Sequence, residues 1–174
     1  MLKNPEDLKG LRGWLAFLGF SLVVSLIITV GESIKEFEEL EKIMSDGTWE
    51  LLSSSTSEYY NPTFVFLFLQ EIIFLTCFSF AFLYIVYLYF SKHYLFPKYF
   101  IILFLIKLIY QFIQGLVVYY FLDQEFFDKE AQTNIYGSVL FYCIWSAYLI
   151  RSKRVELTFV EERPKKPDLA SSDQ

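Results

Sequence analysis

Apolar residues fill four long runs, 13–30, 63–90, 99–122 and 134–150, and the segments between them are polar and charged. Within each run the apolar positions are nearly continuous rather than spaced three or four apart. That is the pattern of a helix surrounded by lipid, not of one with a single buried face. Crossing a hydrocarbon core of roughly 30 Å takes about 20 helical residues. The second and third runs exceed that, and the first and fourth lie near the lower limit. The pattern predicts an all-α integral membrane protein, a four-helix antiparallel bundle with spans at 13–30, 63–90, 99–122 and 134–150. Residues 1–12 form an N-terminal segment, 13–160 the membrane domain and 161–174 a disordered tail, which is polar and contains proline. The first run is longer than the apolar stretch of a signal peptide and is followed by no A-x-A cleavage site, so it is expected to be a retained helix.

The polar segments add detail. In the first, 31–61, Ile34, Phe37, Leu40 and Met44 recur at amphipathic spacing up to Asp46-Gly47, predicting a separate surface helix over 32–44. Trp49, Leu51 and Leu52 are suited to the membrane interface. Ser53 to Ser57 reads as a loop, and Tyr59-Tyr60-Asn61-Pro62 opens the second span, with proline where its missing N–H costs least.

Composition agrees with this reading: the chain is 55 % hydrophobic and 21 % aromatic, too apolar for an ordinary soluble domain. The net charge of -5 hides a segregation of sign. Lys3, Lys9, Arg12, Lys92, Lys98, Arg151, Lys153 and Arg154 lie before the first run, in the 91–98 turn or after the fourth run. The segments 31–61 and 123–133 are acidic and hold only Lys35, Lys42 and Lys129. Basic flanks stay in the cytoplasm, so both termini and the 91–98 turn are predicted to be cytoplasmic, with 31–61 and 123–133 outside. Nothing in this charge pattern suits nucleic acid.

Each of the two central runs carries one charge, Glu71 and Lys107. Ionisable residues inside a span cost about 2.5–3.5 kcal/mol at the bilayer centre and mark functional sites by default. Counted from Pro62 and from Lys98, the two come to similar depth and are expected to face one another, unless the long second run slides outward and carries Glu71 to the headgroups. Lys107, Gln111 and Gln114 share a helix face at i, i+4 and i+7. Tyr142, flanked by Ser138 and Ser146, can add a hydroxyl. Glu71, Lys107, Gln111, Gln114 and Tyr142 therefore form the candidate intramembrane polar site. It reads either as a pocket for an ion, a proton or a small anionic or zwitterionic ligand, or as a buried pair that fixes helix register. On the first helix Ser21, Ser25 and Thr29 recur every fourth residue, a stripe that lets helices approach closely.

No catalytic, cofactor or metal residues are predicted. His93, the single histidine, lies in the basic turn, and there is no H-E-x-x-H, no G-x-S-x-G and no glycine-rich phosphate loop. Cys77 and Cys143 stand alone inside apolar runs and read as small core hydrophobes. The Ser152 to Val160 strip combines basic residues with Val155, Leu157, Phe159 and Val160, and is expected to lie on the inner leaflet or on the end of the bundle.

Gly13-Trp14-Leu15, Glu71, the basic turn closing on Phe96-Pro97, and Ser152-Lys153-Arg154-Val155 with Thr158-Phe159-Val160 together resemble the bacterial four-span inner-membrane family of unknown function, DUF2569. The resemblance covers roughly Gly13 to Val160. It implies a bacterial cytoplasmic membrane, no established activity and no site residues to carry over. Function is expected to be non-enzymatic: an accessory or scaffold subunit that sits in the lipid bilayer and binds another membrane or extracytoplasmic protein or a second copy of the chain. The competing expectation is a small transporter or ion-coupled carrier built on the Glu71 and Lys107 pocket.

Overall fold

The N-terminal helix, α1, runs without a break from Trp14 to Ser45, 32 residues, in a computed structural model that describes residues 9–121 and 129–161. The separate surface helix expected over 32–44 is thus the outer part of the first helix. Gly31, where the acidic segment begins, costs about 1 kcal/mol relative to alanine inside a helix, too little by itself to end one. Ile34, Phe37 and Met44 on this outer part are exposed. Asp46 ends α1, and Gly47, at φ 80, turns the chain into the short α2, Thr48–Ser53.

Helix α3, Pro62–Phe90, is 29 residues long. It opens on an Asn61 side chain that accepts a hydrogen bond from the Phe64 amide at 3.0 Å, with Pro62 at the first helical position. A tight turn, with Lys92 at φ 53, leads into α4, Phe96–Phe121. Helix α5, Lys129–Arg151, begins earlier than the expected residue 134, and its apolar part is only Ile135–Arg151. The remainder of the predicted 123–133 segment, and the predicted tail beyond Glu161, lie outside the described residues. Helix α6, Lys153–Thr158, follows.

Helices α1, α3 and α4 are long and apolar enough to cross a membrane, so by length and composition the chain is a membrane protein; the apolar stretch of α5 is shorter. Phe20, Ile27, Phe66, Ile73 and Phe80 are each more than 60 % exposed, an apolar surface that calls for lipid rather than water. Cys77 and Cys143 also lie on this surface rather than in the core. Runs of uniform apolarity do not say which residue faces inward, and that is why they were misplaced.

The buried core sits at one end. Tyr89 and Phe96 lie beneath Phe159, whose ring stacks on Phe96 with centroids 4.7 Å apart. The Tyr89 hydroxyl donates to the Leu15 carbonyl across α1 and α3. Strip 152–161 is tied to this end by hydrogen bonds: the Gly10 amide donates to Thr158 Oγ1 at 3.1 Å, the Tyr94 amide to the Glu161 carbonyl at 3.3 Å, the Glu161 amide to the Lys92 carbonyl at 3.3 Å, and the Arg154 guanidinium to the Arg12 carbonyl at 3.3 Å. This end, called the base below, carries Lys9, Arg12, Lys92, Lys98, Arg151, Lys153 and Arg154.

Candidate functional site

A ladder of side chains sets the antiparallel register of α3 against α4. Gln70 Nε2 donates to Gln114 Oε1. Phe74 stacks on Tyr110 with centroids 3.5 Å apart. The Lys107 ammonium lies 5.2 Å from the centre of the Phe78 ring, and Phe82 meets Phe104 edge-on at 6.2 Å. Each step down α3 is thus matched by one step up α4. Glu71 falls at the level of Gln114, whereas Lys107 falls at the level of Phe78, about 10 Å away at the helical rise. The expectation that they share a depth does not hold. At 29 residues α3 is longer than one crossing requires, so a count inward from Pro62 does not fix its level against α4. Its electrostatic neighbours are instead Glu36 and Glu39 of α1 and Tyr110 of α4.

Lys107 reaches a different place. A cavity of about 240 Å³ opens among all four long helices. Helix α1 contributes Ser25, Ile28, Thr29 and Glu32; α3 contributes Phe78 and Phe82; α4 contributes Phe104 and Lys107; α5 contributes Gly137, Ser138, Phe141 and Tyr142. Tyr142 is stacked on Phe104 at 3.4 Å, which holds its ring against the wall. Glu32, exposed, is the one carboxylate among the described residues that line the cavity with Lys107 and Tyr142. It does not touch Lys107: among the described residues no carboxylate stands within ion-pairing distance of that ammonium, whose close contact is the face of Phe78.

The five predicted residues therefore divide. Lys107 and Tyr142 line the cavity. Gln114 belongs to the α3–α4 ladder, where it also donates to the Tyr110 hydroxyl at 3.1 Å. Among the described residues, the buried Oε1 of Gln111 meets no hydrogen-bond partner. Glu71 stands outside the cavity. Sequence reasoning missed Glu32 as a site residue and took Ser25 and Thr29 for a packing stripe. Once α1 is seen to be continuous, Ser25, Thr29 and Glu32 fall at i, i+4 and i+7, the same polar spacing as Lys107, Gln111 and Gln114. Among the described residues no group of three His, Cys, Asp or Glu side chains is placed to hold a metal.

A family model described as protein of unknown function (DUF2569) matches residues 8–160, which takes in all of α1 to α6. The chain belongs to this family. Membership therefore includes the α6 strip at the base as well as the long helices, and it brings no activity with it. Compared with curated proteins and with solved structures, the chain finds no match.

Proposed function

We propose that this DUF2569 protein is a four-span protein of the bacterial cytoplasmic membrane, with both termini cytoplasmic, that binds a small polar solute in the cavity around Lys107 as a carrier does. The basic base supports this orientation, because lysine and arginine flanks are retained on the cytoplasmic side. Although its apolar stretch is short, α5 has 23 residues, about 34 Å of helix and enough for a fourth crossing. With the base at the inner boundary, Glu71 comes about 28 Å up, at the outer headgroups, and Lys107 about 16 Å up, near the midplane.

The observation that carries the reading is Lys107, a charge near mid-span that opens onto a hydroxyl-lined cavity instead of closing on a carboxylate. A pair serving only to fix register would gain most by direct contact, since the cost of desolvating both charges is offset only at close range. The experiment is accessibility. With Cys77 and Cys143 changed to serine, a single cysteine at Ser25 or Ser138 should react with a membrane-impermeant thiol reagent added from outside intact cells. A single cysteine at Ser54 should also react from outside, and one at Ser171 from the cytoplasmic side. Labelling of the cavity cysteines only after denaturation would remove the carrier reading, and labelling of Ser54 and Ser171 positions from one side would remove the topology.

A second reading, an accessory subunit, is favoured by the acidic end. Glu38, Glu39, Glu41 and Glu50 are exposed on α1 and α2 and present a structured anionic surface to a partner. A stoichiometric partner held in mild detergent, and lost when Glu38, Glu39 and Glu41 become lysine, would select it.

A further inference from the structure

We propose that the cavity takes a small zwitterion, with its anionic group on Lys107 and its cationic group on Glu32. The inference rests on the solute-binding reading above and names the class of solute. Both charges line one cavity, yet they stand beyond ion-pairing distance of each other. A solute carrying one charge of each sign fills that gap and satisfies both ends, while adding no net charge to the interior of the span. A simple anion would meet Lys107 but be repelled by Glu32, and a simple cation would face the reverse. A neutral polyol would leave both charges without a partner.

Size agrees. A cavity of about 150 Å³ suffices to hold benzene, so the 240 Å³ here accommodates a solute of roughly six to ten heavy atoms. The lining supplies the rest of the recognition. Ser25, Thr29, Ser138 and Tyr142 offer hydroxyls to the charged groups, and the rings of Phe78 and Phe104 offer an apolar wall on which the body of the solute can lie. Lys107 is the inner contact and Glu32 the rim contact, so the solute enters with its anionic end leading.

The test uses the full chain in lipid nanodiscs and calorimetric titration with glycine, betaine, leucine and phenylalanine. Leucine is set against its two halves, 4-methylpentanoate, which lacks the amine, and 3-methylbutylamine, which lacks the carboxylate. The expected result is that at least one zwitterion binds about tenfold or more tightly than either half, the loss expected when one charged hydrogen-bonded contact is missing. Lys107→Met should erase the advantage over the amine, and Glu32→Gln the advantage over the carboxylate. Lys107→Arg, which keeps the charge, should retain binding and shows that loss in Lys107→Met is not a failure to fold. If the carboxylate or the amine alone binds as tightly as the zwitterion, the zwitterion assignment is overturned and the solute-binding reading stands. If no probe binds although the cavity cysteines are labelled from outside, the assignment is overturned as well. If those cysteines are not labelled either, both fall together.

Discussion

The base and the cavity half of this protein are built from the same four long helices and are packed in opposite ways. At the base Leu15, Leu18, Tyr89, Phe96, Phe100 and Phe159 are all within 2 % of complete burial. Gly19 is pressed so closely against the Tyr89 ring that a Cβ would lie 2.6 Å from it. In the other half, Gly31 and Gly137 have nothing within 4 Å of where a Cβ would stand, and α1 and α3 meet through a Ser33–Ser79 hydrogen bond of 2.9 Å. Packed rings close the base; in the other half rings such as Phe74 and Tyr110 are joined by the small residues Ser25, Thr29 and Ser138, which leave the cavity open. Because lipid is as apolar as leucine, packing rather than water exclusion must hold such helices together. A close-packed base can therefore supply the rigidity that lets the opposite half stay open.

The comparison can be broken most forcefully at Phe159. Phe159→Ala should remove the ring that covers Tyr89 and Phe96 and lower stability by about 3–5 kcal/mol. Thermal unfolding in detergent reads this directly, and an unchanged midpoint would mean that the α6 strip is not part of the folded core. The glycines give the next largest contrast. Gly19→Ala forces a methyl into Tyr89 and should cost about 1–3 kcal/mol. Gly137→Ala enters open space on a helix and should be neutral or stabilising by up to about 1 kcal/mol. Equal effects from the two would contradict the difference in packing.

The charges sharpen the comparison further. Glu71→Gln and Lys107→Met lie about 10 Å apart on the α3–α4 ladder, so their effects on stability should add to within about 0.3–0.5 kcal/mol. Glu32→Gln and Lys107→Met share the cavity and should be non-additive. A double-mutant cycle that couples Glu71 to Lys107 instead would overturn the register described above. The smallest effect lies at the turn after α1. The Thr48 side-chain hydroxyl and, after it, the Thr48 amide, which donates to Asp46 Oδ1 at 2.9 Å, hold the Asp46 carboxyl below its ordinary value. A lowered value in the folded state means that the contribution is complete above the ordinary aspartate range and is lost as pH falls through the folded value. Thr48 amide exchange should therefore be slower in the parent chain than in Asp46→Ala at neutral pH, and the two should converge in acid.

Much of this was legible without coordinates. Blocks of continuous apolarity, the Asn61-Pro62 start and the segregation of basic from acidic flanks identify an all-helical membrane chain, because each depends on local propensity or on the average environment of a segment. Lys107 and Tyr142 could be singled out as polar residues in apolar runs, since the cost of placing them there is a property of the residue itself. What escaped depends on facing and register. Glu32 looked like one acid among many until α1 proved continuous. Glu71 looked like the partner of Lys107 until the Phe74–Tyr110 and Phe78–Lys107 contacts fixed how far α3 slides along α4. Gly19 and Tyr89 gave no signal at all. A uniformly apolar helix has no preferred face in its own sequence, so only the fit of one helix against another decides which residues are buried, which meet, and where space is left.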